Sequence, residues 1–480
     1  MRICFVSSEV APFSKTGGLA DVAGALPLLL SEAGHDVLVI SPLHNQVRDH
    51  ALDEVIGLVD IEIPIGTRTE FFGLWRSADQ KLFHFVDAPH FFDRPAIYSN
   101  STDEHQRWIM LTRAAFATCQ WLEWAPDIIH LNDWQTALAP LYLRSVYGWD
   151  QLFESTRTVF TIHNLGYQGV FGSDIIDDLG LEDNEHLLHQ DHLKAGRISF
   201  MEHALLYADR ITTVSPTYAW EIQTPQMGVG LDGLLRLRTH DLVGILNGVD
   251  DDEWNPRTDR YIPFHYSVKS LWRKEKNKEA LSMAVGLEYE KGVPLLGIVS
   301  RLAGQKGIEL LIEPLKFYLK NGRVRFVALG SGEQYLEKML DQLATAFPGR
   351  AAFVRGYDNP MAHLIEAGCD MFLMPSLYEP SGLNQMYSLA YGTAPVVRKT
   401  GGLADTVTHY DADTGEGNGF VFENFSSVGL GWALGQALDV YENKAAWQQL
   451  QRNGMAEDNS WEQRAHEYES LYASLMADAS

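Results

Sequence analysis

Cysteine is scarce in this chain. Cys4, Cys119 and Cys369 are the only three in 480 residues. Each stands among apolar neighbours and no metal-ligand spacing joins them. They read as buried small hydrophobes, not as a disulfide framework or a thiolate metal site. Long apolar runs are also missing: no stretch of about 18 apolar residues appears, so no membrane-spanning helix is expected. No cationic segment followed by a long apolar one opens the chain, so no signal peptide is expected and a reducing, cytoplasmic setting fits. Cations are in deficit, 38 Lys and Arg against 63 Asp and Glu, for a net charge of −25. That balance argues against nucleic acid or an anionic membrane as partner. It leaves a phosphate-bearing ligand open, because a few local cations outweigh a distant field. A Gly-x-Ser-x-Gly elbow, a His-Glu-x-x-His pair and Walker A spacing are absent as well. So are low-complexity segments and short-period repeats.

What is present is ordinary globular material, 46% apolar and 21% charged, in a chain long enough for two or three domains. One phrase is spelled twice. Lys15-Thr16-Gly17-Gly18-Leu19-Ala20-Asp21 returns letter for letter as Lys399-Thr400-Gly401-Gly402-Leu403-Ala404-Asp405. Each copy follows an apolar stretch and opens a helix-like one, where α/β proteins set a loop against an anion. Short apolar runs at 3–6, 37–40, 128–131, 158–162, 211–214 and 243–246 alternate with helical patterns. The runs at 54–87 alternate polar and apolar residues and predict extra strands or a hairpin. The polar stretch 251–270 predicts a linker, followed by a basic helix with Lys274, Lys276 and Lys278. A second series of buried strands runs through 294–299, 325–329, 352–354, 371–374 and 394–397, and a last helix covers about 456–478. The pattern predicts an α/β fold of two parallel-sheet halves.

Ligands of parallel sheets bind beyond the carboxyl ends of the strands. That rule selects Lys15, Asp133, His163, Asn247, Arg301, Lys306, Glu379 and Lys399. Arg301 and Lys306 flank a helix start, where cations oppose the helix dipole unless an anion joins them; solvated surface cations are the plainer reading. Glu379 precedes a Pro-Ser-Gly turn and reads either as a helix-capping acid or as an acceptor for sugar hydroxyls. His163 is either a packed structural residue or a reactive one. Asp133 is an N-cap by default. Tyr357 is a stacking face or an isolated surface ring. No pair of carboxylates presents itself as the acid and nucleophile of a glycoside hydrolase.

Several further motifs fall in order: Asn132-Asp133-Trp134, Phe160 to Gly169, Thr213 to Ala219, Ile245 to Asp250, Ser300-Arg301-Leu302, Met374-Pro375-Ser376 and Glu379-Pro380 with Gly382-Leu383. Together with the repeated phrase they resemble the bacterial and plant glycogen and starch synthases, retaining glucosyltransferases of glycogen biosynthesis. The resemblance implies a GT-B fold of two Rossmann-like domains facing each other across a deep cleft. It places the acceptor-side domain at 1–250, the donor-binding domain at 251–455, and a helix at 456–480 crossing back to the first. It implies ADP-glucose as donor, an α-1,4-glucan (glycogen or a malto-oligosaccharide) as acceptor, and no metal or other cofactor. By the same resemblance Lys15, Gly18 and Asp21 serve the donor, Arg301 and Lys306 clamp its diphosphate, and Tyr357 lies against the base. Glu379, Ser381, Gly382 and Leu383 hold the glucose, His163 borders the anomeric carbon, and Asp133 and Asn247 serve the acceptor side. The chain departs from the family pattern at Gln135, Ser381 and Asn384, which bears on donor and acceptor choice. A UDP-glucose enzyme, a different acceptor, or a non-catalytic glucan-binding homologue are the alternatives.

Overall fold

Short apolar runs become adjacent parallel strands in two separate sheets. The computed structural model describes residues 1–477. It divides into one unit of residues 1–247 joined by the C-terminal helix Trp461–Ala477, and another of residues 248–460.

The first unit holds nine strands in the order Leu242–Gly244, Arg210–Thr213, Arg157–Ile162, Ile128–Asn132, Arg2–Val6, Asp36–Pro42, Phe83–Asp87, Arg68–Ser77 and Leu52–Ile65. The first seven are parallel, and the last two add antiparallel. The alternating runs at 54–87 are thus both sheet extension and hairpin. Along Arg2–Val6, Cys4 and Val6 enter one core layer with Trp108 and Phe116. Ile3 and Phe5 enter the other with Leu26 and Leu30. Side chains alternate across a strand, so a sheet covered on both faces needs apolar residues at every position.

Trp461, Ala465, Tyr468, Tyr472 and Leu475 return to this second layer at helical spacing and pack with Leu26 and Leu30 of the helix Gly18–Glu32. One polar tie crosses that layer. Buried His130 meets the Tyr472 hydroxyl through Nδ1 and the Thr161 hydroxyl through Nε2, both at 2.6 Å. Burial pushes the His130 pKa down to about 3, so the ring is neutral and gives one donor and one acceptor.

The second unit holds six parallel strands in the order Ala351–Arg355, Arg325–Gly330, Leu295–Val299, Met371–Met374, Ala394–Arg398 and Phe420–Phe422. Numbered along the chain this is 3-2-1-4-5-6, the doubly wound order. The stretch 251–270 is no free linker. Asp259 is buried and accepts from the Tyr391 hydroxyl at 2.5 Å, with His363 Nδ1 at 2.9 Å. Trp254 stacks between His363 and Tyr387 at 3.8 and 3.9 Å. Nor is the helix Lys274–Ala284 a solvated basic face. Lys274 donates to the Glu366 and Ala367 carbonyls, and Lys278 pairs with Asp370 at 2.8 Å. Polar composition hid these contacts because the partners lie about 100 residues away in sequence.

Replacing Tyr472 by Phe leaves a buried His130 nitrogen without its partner. We expect a loss of about 1–3 kcal/mol in urea unfolding; an unchanged midpoint would show that the tie contributes nothing.

Candidate active site

In the six-stranded sheet the connections after Leu295–Val299 and Met371–Met374 leave in opposite directions, so a gap opens at their carboxyl ends. A cavity of about 180 Å³ occupies it, lined among others by Arg301, Lys306, Ser376, Glu379, Gly382, Leu383 and Asn384. Glu379 is 7% exposed. Its Oε2 accepts from the Lys306 ammonium at 2.7 Å and the Ser376 hydroxyl at 3.0 Å. Gln305 ties the two loops: its amide donates to the Tyr378 carbonyl, and its own carbonyl accepts from Leu377 N–H. Arg301 is exposed and forms no ion pair among the described residues. Asn384 donates to the Val299 carbonyl at 2.8 Å and so braces the end of the strand that precedes Arg301. Buried Ser381 reaches only the Gly382 carbonyl, at 3.4 Å. Tyr357 follows the edge strand, is 82% exposed, and is not among the cavity-lining residues.

The second copy of the repeated phrase supports this loop from behind. Gly402 N–H donates to the Glu379 and Pro380 carbonyls. A Cβ on Gly402 would stand 1.9 Å from the Ser381 carbonyl oxygen, and one on Gly401 2.0 Å from that of Glu379. Gly401 also has φ +43°, which side chains rarely adopt. Lys399 turns to Glu423 at 3.0 Å.

The first unit has its own gap, between Arg2–Val6 and Ile128–Asn132, whose connections also part. Lys15 pairs with Asp21 at 2.6 Å, and Gly18 begins the helix that carries Asp21. Asp133 sits at φ +56°, a strained backbone for a non-glycine residue. The strain turns its Oδ1 to the backbone N–H of His163 at 2.7 Å and of Asn164 at 3.3 Å. Asn132 donates through Nδ2 to the Val6 carbonyl, which leaves Oδ1 to accept from His163 Nε2 at 2.9 Å. Burial lowers the His163 pKa to about 3, so this imidazole is neutral with its proton on Nε2. Asn247 is buried at the end of the unit.

Sequence reasoning missed Glu9. It is 2% exposed, and its Oε2 accepts from Thr16 N–H at 2.5 Å and the Thr16 hydroxyl at 2.8 Å, which fixes the loop that carries Lys15. Tyr98 joins it, with its hydroxyl 2.9 Å from Ser8 Oγ. Burial above all pushes Glu9 up to about 7, with the charge of Asp21 adding. Burial also lifts Asp133 to about 7, with the charge of Glu9 adding. Two buried acids, Glu9 and Asp133, thus stand in the first unit, both raised chiefly by burial. The only cue to Glu9 was an acid three residues past the first strand, near a strand's carboxyl end.

Residues 2–237 match the model of the starch synthase catalytic domain, and residues 285–453 that of glycosyl transferases group 1. The chain is 46% identical to the glycogen synthase of Anaeromyxobacter dehalogenans over 99% of both chains. It is 41% identical to that of Geobacillus stearothermophilus over 99% of this chain and 98% of the other. The chain belongs to the glycogen and starch synthase family. Among solved structures, the catalytic domain of starch synthase IV from Arabidopsis thaliana, bound to ADP and acarbose, superposes with a TM-score of 0.91 at 33% identity over 99% of both chains. The architecture is that of the two-domain GT-B glycosyltransferases. Membership in the glycogen and starch synthase family makes this chain a glycosyltransferase, as the sequence motifs implied.

Two outcomes test the site's construction. Gly401→Ala, at the position equivalent to Gly17, forces a backbone contact with the Glu379 carbonyl apart, so we expect a loss of about 1–3 kcal/mol together with weakened nucleotide-sugar binding. Gly17→Ala, whose Cβ would meet nothing nearer than Glu9 Oε1 at 3.9 Å, is expected to stay within about 0.5 kcal/mol of wild type. Equal effects would mean that the two copies do the same job.

The second test concerns Glu9. Its pKa rises on folding, so the folded state binds its proton more tightly between the ordinary value of 4.5 and about 7. Stability from this group is full below pH 4.5 and lost as pH rises through 7. Glu9→Gln should therefore gain stability over wild type at pH 8, with the gain fading toward pH 5. Urea unfolding at stepped pH reads the difference, and a constant gap would rule out this titration.

Proposed function

We propose that the protein transfers glucose from ADP-glucose to the non-reducing end of an α-1,4-glucan, with retention of anomeric configuration and release of ADP, in the cytoplasm. The observation that carries the reading is the Lys306–Glu379–Ser376 group beside Arg301 at the switch point of the six-stranded sheet. An anion and a polyol are what such a set recognises: cations for the diphosphate, a buried carboxylate for hydroxyls.

The charge flow assigns the roles. Breaking the bond between the anomeric carbon and the phosphate oxygen leaves negative charge on the diphosphate and positive charge on the sugar. Arg301 and Lys306 stabilise the former, with Lys15 as a third cation, so charge compensation calls for no metal. When diphosphate takes Lys306, Glu379 is released to accept from the glucose, with Ser381, Gly382 and Leu383 around it. Tyr357 presents its exposed ring to the base, and Gly18 and Asp21 complete the donor side. Neutral His163 borders the sugar without adding charge beside the developing cation. Asp133 has Oδ1 committed to two backbone N–H groups, which leaves Oδ2 for an acceptor hydroxyl, and Asn247 serves the same side. The acceptor hydroxyl attacks from the face the phosphate leaves, and its proton passes to the departing phosphate oxygen. No covalent glycosyl-enzyme forms.

A donor screen with glycogen as acceptor tests this. We expect transfer from ADP-glucose in clear preference to UDP-glucose. Lys15→Ala, Arg301→Ala and Lys306→Ala should each lower kcat by roughly 10²–10³. Thermal unfolding should stay near wild type for the first two, whereas Lys306→Ala leaves the Glu379 carboxylate without its cation and should lower the Tm as well. Near-normal kinetics in any of the three would remove that residue from the clamp. A sugar trapped on a side chain would overturn the direct transfer.

A further inference from the structure

A cluster in segment 189–203 plays no part in the reaction proposed above. His189 caps the short helix Gln190–Lys194, and His192 lies on it. Their rings are nearly parallel, 4.1 Å apart with 21° between planes. Facing them is Glu202 on the helix Phe200–Tyr207, with its side chain 3% exposed. His192 Nδ1 is 2.7 Å from Glu202 Oε1 and 2.8 Å from Oε2, and His189 Nε2 is 4.0 Å from Oε1. One ligand atom from each residue lies within 4.8 Å of the others.

A buried carboxylate needs a positive partner. Glu202 faces two rings that each turn a nitrogen toward it. Two imidazole nitrogens and one carboxylate, with a fourth position open to water, are a donor set suited to zinc. Bonds of about 2.0–2.2 Å put tetrahedral ligand atoms roughly 3.3 Å apart. His189 Nε2 must move inward and His192 Nδ1 slightly back. Both rings are about a third exposed; the cap from His192 N–H to His189 Nδ1, 3.4 Å, and the Arg197 contact to His192 must give as they turn, whereas Glu202 is held by its burial.

We propose that His189, His192 and Glu202 form a zinc site. Arg197 regulates entry. Its guanidinium is 2.6 Å from His192 Nε2; donating there, it leaves the ring proton on Nδ1, facing Glu202. Zinc on Nδ1 requires that proton to move to Nε2, so Arg197 must swing away and competes with the metal. His203 is not a ligand: its Nε2 accepts from His189 N–H and its Nδ1 donates to the Ser199 carbonyl.

The site stands next to the segment that follows His163. Arg197–Ser199 pairs with Val170–Gly172, Phe200 N–H donates to the Gly169 carbonyl, and Met201 N–H to that of Gln168. Zinc would clamp the 189–192 turn onto the helix that anchors this segment, a stiffening role.

The test uses the full-length chain, stripped with EDTA and titrated with ZnCl₂ by calorimetry and thermal unfolding. We expect one zinc per chain and a raised Tm, since a ligand that binds only the folded state stabilises it. MgCl₂, which favours oxygen ligands, should give no shift. His189→Ala and His192→Ala should each weaken zinc binding at least about tenfold, and Arg197→Ala should tighten it. Glu202→Gln removes a buried charge and risks the fold, so the two histidine variants decide. Failure of the wild type to bind zinc, or unchanged affinity in either histidine variant, overturns the proposal. Weaker binding in Arg197→Ala overturns the competition.

Discussion

Lys306 meets Glu379 because two parallel strands lie side by side while the chain leaves them in opposite directions. Leu295–Val299 continues toward Arg325–Gly330, and Met371–Met374 toward Ala394–Arg398. Between the departing connections a cavity of about 180 Å³ remains. Residues that follow the strands must then satisfy one another or a ligand. Ser376 and Lys306 converge on one carboxylate oxygen for that reason, and Asn384 reaches back to the Val299 carbonyl. The first unit meets the same constraint after Arg2–Val6 and Ile128–Asn132, and there the residues that gather are Glu9, Thr16 and Asp133.

The repeated phrase shows how one local solution serves two ends. Both copies place two glycines at the start of a helix. In the second, Gly401 and Gly402 lie against the carbonyls of residues 379–381, so their missing Cβ atoms let the Glu379 loop approach. In the first, Gly17 has no such neighbour, and the fixed point is Thr16, held by Glu9. The glycines of one copy are a support; the loop of the other is presented. Seven identical letters give no sign of this, because the difference lies in what packs against them.

Much of the fold was legible because a strand buried on both faces must be apolar throughout, and such runs stand out. Arg2–Val6, Ile128–Asn132 and Met371–Met374 fall where the sequence put them to within a residue. What stayed hidden was polar and long-range. Asp259 and Trp254 sit in a stretch whose composition reads as linker, yet they pack against His363, Tyr387 and Tyr391. In the site, Arg301, Lys306 and Glu379 were visible through strand ends and glycines. Glu9 was not, since a single acid after a strand has no pattern around it. The stacked pair His189 and His192 fell in a segment with no clear period, and its carboxylate partner comes from another helix.

Electrostatics divides the labour further. In the proposed reaction the diphosphate is the part of either substrate that carries full charge before reaction. The second unit holds two cations where that charge would sit, one of them already balanced by Glu379. The first unit keeps its strand-end groups close to neutral: burial leaves His163 without its proton and lifts Glu9 and Asp133 to about 7. A fixed charge beside a neutral polyol would have to be desolvated with no counter-charge to meet it, whereas neutral donors and half-protonated acids exchange hydrogen bonds with hydroxyls at little cost. The strained turn at Asp133 follows from this: φ +56° brings two backbone N–H groups onto one carboxylate oxygen, which is what allows an acid to remain buried there at all.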